Sequence, residues 1–201
     1  MIFRRGKRFI PTSATGETPV CGKKINDILR KRLRKRAGRA FQASAGVIDS
    51  QSVKSSIVGG IRGFDAGKKI RGRKRHILVD TLGLLIVVVV HSAAIQDRDG
   101  GLLVLQRICN AFGRLKLIWA DAAYRGRFVE LVYSTLRRKV AIVEKEPGQQ
   151  GFKVLPRRWV VERTFAWISN YRRHSRDYEF LTESSEAMIY VSMIQIMLKR
   201  L

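Results

Sequence analysis

Residues Lys74–Ser92 read KRHILVDTLGLLIVVVVHS, two apolar runs (Lys74–Thr81 and Leu84–Ser92) parted by Leu82-Gly83. Their β-branched density predicts strands and the Leu-Gly step a turn, so the segment is a hairpin. The valine run Val87–Val90 leaves no polar face, which predicts burial on both sides and hence helices above and below the sheet. Upstream, Gly46–Val53 (GVIDSQSV) predicts another strand, and Lys24–Arg39 a short basic helix through Ile25, Ile28, Leu29 and Leu33. Downstream, Asp97 or Asp99 is expected to cap a helix from about Gly100 to Phe112. A strand at Leu115–Ala120, a helix at Gly126–Arg138 and a strand at Val140–Val143 follow. Pro147–Gly151 breaks the chain, Pro156 opens a long helix to about Arg173, and Ser184–Leu201 predicts a last amphipathic helix. Three consecutive strands form an antiparallel meander, whereas the later two need helical crossovers and run parallel to the first. The expectation is an α/β fold: a mixed five-stranded sheet with helices on both faces.

The 201 residues suffice for one domain, or one domain plus an arm, and 45% hydrophobic content provides for a real core. A formal net charge of +24 points to a polyanionic partner. Cys21 and Cys109 make neither a disulfide framework nor a zinc site, which suggests a reducing compartment. The basic start MIFRRGKRFIPTSA lacks the apolar segment of a signal peptide. The charge-free run Thr81–Gln96 is shorter than the ~20 residues of a membrane helix. The expected location is the cytoplasm, with no membrane partner. Cationic residues cluster in three places. One is residues 1–40, where thirteen Lys and Arg face only Glu17 and Asp27. The others are Lys68–Arg75 (KKIRGRKR) and the helix carrying Arg157, Arg158, Arg163, Arg172, Arg173 and Arg176.

Three carboxylates stand in telling places. Asp49 interrupts the apolar first strand, Asp121 ends the strand LIWA, and Glu162 sits in the basic helix RRWVVERTF. The predicted order brings the two strands side by side and folds the helix over their ends. Converging carboxylates repel unless a cation neutralises them, and hard oxygen donors without His or Cys favour Mg²⁺ or Mn²⁺. Two such ions about 3.5–4 Å apart suit an in-line phosphoryl displacement. Plainer readings exist: Asp121 as a turn cap, or Glu162 as an i,i+4 partner of Arg158. Asp49 is harder to dismiss, because an unpaired carboxylate in a buried strand is costly. Asp80, Asp97 and Asp99 are accounted for by the DTLG turn and the DRDGG cap.

The strings GVIDSQSVKSS, GFDAGKKIRGRKRHILVDTLGLL, AAIQDRDGG, WADAAYRG and RRWVVERTFAWISNYRRHSRDYE resemble bacterial insertion-sequence DDE transposases. The group is insertion-sequence family five, within the four-like superfamily, and the likeness runs from about Ile25 to Leu201. The resemblance implies a ribonuclease H-like, retroviral integrase-like core, with Asp49, Asp121 and Glu162 as catalytic and metal-binding residues. It implies two Mg²⁺ or Mn²⁺ ions, cleavage at element ends followed by 3′-hydroxyl attack on target DNA, and a homodimer or higher oligomer on DNA, nucleoid-associated in the cytoplasm. Lys54, Lys68, Lys69, Arg71, Arg73, Lys74, Arg157, Arg158, Arg172 and Arg173 are the expected phosphate contacts. The alternative is a catalytically inactive remnant that binds DNA without sequence preference.

Two departures from the family pattern matter. In the C-terminal signature of tyrosine, arginine, glutamate and lysine, Arg158 and Glu162 fit, but Leu155 replaces the tyrosine and Ser169 the lysine. On one continuous helix Arg158, Glu162, Ser169 and Arg173 share a face, so Arg173 or Arg172 is the expected substitute for the lysine. The segment before Asp49 is also shorter than in full-length relatives. Residues 1–45 are therefore expected to be a basic arm, the remnant of a DNA-binding segment, and residues 46–201 the catalytic domain.

Overall fold

The structure is a computed structural model and describes residues 20–57, 59–109, 111–144 and 157–201. The predicted break at 147–151, the helix start at Pro156, Leu155 and the first nineteen residues lie outside them.

The hairpin at the centre of the sequence forms as read. β3 (Ile70–Asp80) and β4 (Leu85–Ser92) pair antiparallel. Their turn closes with Asp80 N–H donating to the Leu84 carbonyl at 2.9 Å, and Gly83 takes φ +80, where a side chain would be strained. Asp80 does what the DTLG reading expected: its Oδ1 accepts from the Leu82 and Leu84 amides, both at 2.9 Å. β1 (Ala45–Lys54) lies at the middle of the sheet, antiparallel to β3 on one side and parallel to β5 (Leu117–Ala120) on the other. β6 (Lys139–Ile142) runs parallel beyond β5. Among the described residues the sheet has six strands, not the expected five. The addition is β2 (Gly63–Asp65), which pairs with Ile70–Gly72 on the edge that β4 continues. Three residues with a single buried side chain carry too little alternation to be read as a strand.

Helices cover both faces. α2 (Asp97–Ile108) and α3 (Arg127–Leu136) bury Val104, Ile108, Phe128 and Val132 against Ile48, Leu78 and Val87. α4 (Trp159–Ser169) and α5 (Thr182–Leu198) bury Val161, Phe165, Ile189 and Met193 against Val47, Ile77 and Val88. This strand order, with its antiparallel meander followed by two parallel strands, is a ribonuclease H-like α/β fold. α1 (Val20–Arg36) packs Leu29 and Leu33 with Leu84 and Met197.

Two expectations change here. α2 begins after Gln96 without a side-chain cap, because the Asp97 carboxylate accepts from Ser50 Oγ at 2.7 Å and pairs with Lys74. The long helix expected to reach Arg173 stops at Ser169, since Tyr171 is extended (φ −88, ψ 120) before a 3-10 turn at Arg172–His174. Arg173 is therefore not on the face of Arg158 and Glu162, and it pairs with Glu179 at 2.5 Å. Its helical claim to replace the missing lysine is lost.

Asp80 is fully buried and also pairs with Arg34 of α1 at 2.7 Å. Asp80→Ala leaves that guanidinium without its carboxylate partner and opens the turn. The expected loss is about 3–5 kcal/mol of unfolding free energy, read by urea denaturation. A change under about 1 kcal/mol would mean that the pair behaves as a surface ion pair.

Candidate active site

Asp49 lies opposite Ile77 in the β1–β3 ladder. Side chains alternate along a strand, so Asp49 shares the face of Val47 and Gln51. Val47 packs among the α4 side chains, and Gln51 Nε2 donates to Ser169 Oγ at the end of α4 (3.4 Å). Asp121 follows the last residue of β5, the strand parallel to β1. Its Oδ1 accepts from Ala123 N–H at 3.0 Å, capping a 3-10 turn at Ala122–Tyr124. Glu162 stands in the first turn of α4.

Arg158, the residue before α4, joins them. One guanidinium nitrogen is 3.5 Å from Asp121 Oδ2 and its Nε is 3.4 Å from Glu162 Oε1. Its charge also acts on Asp49. Burial pushes the Asp49 carboxyl up to about 6, and the charge of Asp121 adds to the rise. A hydrogen bond from Ser50 N–H (2.7 Å) and the charges of Arg158 and Lys68 oppose it.

Two carboxylates short of positive charge and offering only oxygen donors fit a hard divalent cation. Glu162 is different. It keeps 57% of its side-chain surface exposed against Arg158. Among the described residues no three His, Cys, Asp or Glu side chains are grouped to hold an ion. Asp49 and Asp121 lie on one face of the sheet, and Arg158 stands between Asp121 and Glu162.

The transposase DDE domain matches residues 40–197, most of the chain. The chain belongs to that family. Solved structures similar to this transposase domain include the catalytic domain of Mos1 mariner transposase, with 13% identity, 96% of this chain and 94% of that chain covered, and a TM-score of 0.43. The Mos1 mariner paired end complex with Mn is similar at 14% identity over 98% of this chain and 64% of that chain, with a TM-score of 0.39. No curated protein matches.

The expected phosphate contacts of the transposase domain divide by exposure. Lys54, Lys68, Lys69, Arg71, Arg157, Arg172 and Arg173 are exposed. Arg73 and Lys74 are not, which corrects two assignments. Arg73 is 1% exposed and donates to Asp177 (3.1 Å), Ser185 Oγ (3.0 Å) and the Phe180 carbonyl (2.6 Å). Lys74 is buried between Asp97 (2.9 Å) and Asp65 (3.5 Å). Neighbouring side chains of β3 point to opposite faces, and because both faces of the sheet are covered, Arg73, Lys74 and Arg75 are all buried, with partners that lie far away in sequence. Arg158, expected as a phosphate contact, is occupied with carboxylates.

Sequence reading also missed His76, His91 and Tyr124, buried on the sheet face opposite Asp49. Burial holds His76 down to about 3, with His91 adding to the effect, and it also lowers His91. Burial and the charge of Asp49 hold the Tyr124 hydroxyl protonated.

The raised Asp49 carboxyl has a thermodynamic consequence. Between its unfolded value of 3.8 and about 6, the folded chain binds more protons at Asp49 than the unfolded chain does. Asp49 therefore subtracts stability progressively as pH rises through that window, and subtracts fully above it. Asp49→Asn should stabilise the fold by up to about 3 kcal/mol at pH 8 and by little at pH 4. Denaturant melts of both proteins at the two pH values check this; an equal gain at both would assign the effect to packing rather than charge.

Proposed function

We propose that this transposase domain cuts DNA strands at the ends of an insertion element of the family-five group and joins the freed 3′-hydroxyl to target DNA. The observation that supports this reading is the gathering of Asp49, Asp121 and Glu162 around Arg158 on one face of the sheet. In this reading Asp49, Asp121 and Glu162 hold two Mg²⁺ or Mn²⁺ ions. When bound, such ions supply Lewis-acid activation of the attacking oxygen and charge stabilisation at the leaving oxygen.

The chain's own residues do the remaining work. β1 fixes Asp49 against the sheet, and the Ala123 amide orients Asp121. Arg158, held against Asp121 and Glu162, offsets part of the repulsion that the carboxylates exert on a polyanion. Lys54, Lys68, Lys69, Arg71, Arg157, Arg172 and Arg173 hold the DNA backbone at exposed positions, setting register without reading sequence. Residues 46–201 carry the chemistry, residues 1–45 provide a basic arm, and two or more copies hold paired ends.

A second reading, a DNA-binding chain that does not cut, draws support from the exposed, Arg158-bound state of Glu162. Asp49→Asn separates the two. The cleavage reading expects Mg²⁺-dependent nicking to be abolished, with DNA affinity equal or tighter because a repelling charge is gone. Wild-type protein that binds DNA but does not nick with either Mg²⁺ or Mn²⁺ supports the second reading, and nicking unchanged by the substitution moves the chemistry elsewhere.

Both readings share an electrostatic expectation. Neutralising about 6–10 phosphates should weaken binding roughly 10³–10⁵-fold between 50 and 200 mM salt. Arg73→Gln should leave that slope unchanged, whereas Lys69→Gln should reduce it by about one.

A further inference from the structure

Behind Asp49, on the other side of the sheet, a continuous hydrogen-bonded chain runs from Tyr124 to the backbone of β4. His91 Nδ1 lies 2.9 Å from the Ser92 carbonyl, which can only accept. His91 therefore carries its proton on Nδ1, and its Nε2, bare in a neutral ring, accepts from His76 Nδ1 at 3.1 Å. That leaves His76 Nε2 bare to accept the Tyr124 hydroxyl. Every donor and acceptor is used once, and a single set of tautomers satisfies the chain.

The surroundings enforce the arrangement. Tyr124 and His76 are fully buried, and the Tyr124 ring packs edge-on against Phe128. A Cβ at Gly100 would stand 2.5 Å from His91 Nε2 and 2.6 Å from His76 Nδ1, so α2 passes the imidazole pair only because it has no side chain there.

The position of this chain gives it a role. Tyr124 ends the 3-10 turn that Asp121 caps, and His76 lies across the ladder from Ser50, the residue after Asp49. The Tyr124–His76 hydrogen bond thus fastens the turn bearing Asp121 to the strand beside the one bearing Asp49. We propose that Tyr124, His76 and His91 are positioning residues: a buried relay of fixed tautomers that sets Asp121 relative to Asp49. The role in cleavage rests on the reading of those two carboxylates as the cutting site. None of the three side chains touches substrate, because the sheet separates them from the face of α4.

Three readouts test it. In protein labelled with ¹⁵N-histidine, both His76 and His91 should carry the proton on Nδ1, the tautomer less populated by imidazoles free in water. The Nε2–H form at either ring overturns the relay, and this measurement needs no variant. Tyr124→Phe keeps the ring and removes the hydroxyl. It should speed hydrogen exchange of the Ala123 amide, which donates to Asp121, by about tenfold while amides in β1 and β5 stay protected. Unchanged exchange at Ala123 overturns the positioning role. The same variant should slow Mg²⁺-dependent nicking by about tenfold with DNA affinity unaltered, and a full nicking rate alongside loosened Ala123 overturns the link to cleavage. Wild-type protein with the expected tautomers and exchange but no nicking keeps the relay and overturns the cleavage reading instead.

Discussion

Two carboxylates on adjacent parallel strands repel, and the fold holds them there. Asp49 and Asp121 occupy the same face because β1 and β5 are paired in register, Val47 beside Trp119, with Asp49 two residues further along β1 and Asp121 just past the end of β5. The cost appears in the Asp49 carboxyl, which burial and Asp121 together push up to about 6. Nothing in the core requires a charge at that point in β1, where Val47 and Ile48 are buried apolar neighbours. A destabilising charge in the middle of a sheet is the kind of local inconsistency that marks a functional site. Arg158 partly relieves it by its charge.

The rest of the architecture keeps that strained pair in place. β1 is central, so movement of Asp49 would require breaking ladders on both sides. Cations inside the protein do structural work of a different kind. Arg34 closes the β3–β4 turn from α1, Arg73 gathers the loop before α5, and Arg75 donates to the His174 carbonyl at 2.9 Å. Arg34 and Arg73 are buried guanidiniums held by carbonyls and a carboxylate, as the energetics of burial require, whereas Arg75 reaches carbonyls only and its Nε has no hydrogen-bond partner among the described residues. The high positive charge therefore has two populations. One is fastened inside the fold, and the other stands at exposed positions such as Lys69 and Arg71, available to a polyanion.

Much of this was legible in the residues. The apolar hairpin, the central strand around Asp49 and the helical crossovers after it rest on local patterns that tertiary packing reinforced. The three carboxylates draw notice because a charge inside an apolar strand, at a strand end or within a basic helix stands out from its neighbours. What stayed hidden depends on contacts distant in sequence. Arg73 and Lys74 look like their exposed neighbours until Asp177 and Asp97 are folded against them. The break of α4 at Asn170 has no proline or glycine to announce it. His76 and His91 lie fifteen residues apart on paired strands, and Tyr124 reaches them only through a turn after β5. The register of Lys74 with His91 was the one available signal, and it required the hairpin to be aligned residue by residue.

Cleavage at this site requires that Asp49 and Asp121 together bind a divalent cation. Titrating Mn²⁺ into the protein calorimetrically at pH 6, in two buffers of different ionisation heat, measures both binding and the protons released. The account predicts binding with proton release near pH 6, where Asp49 is partly protonated, less release at pH 8, and loss of binding in Asp49→Asn. Mn²⁺ binding of equal strength in wild type and Asp49→Asn, with no proton release at pH 6, would contradict it.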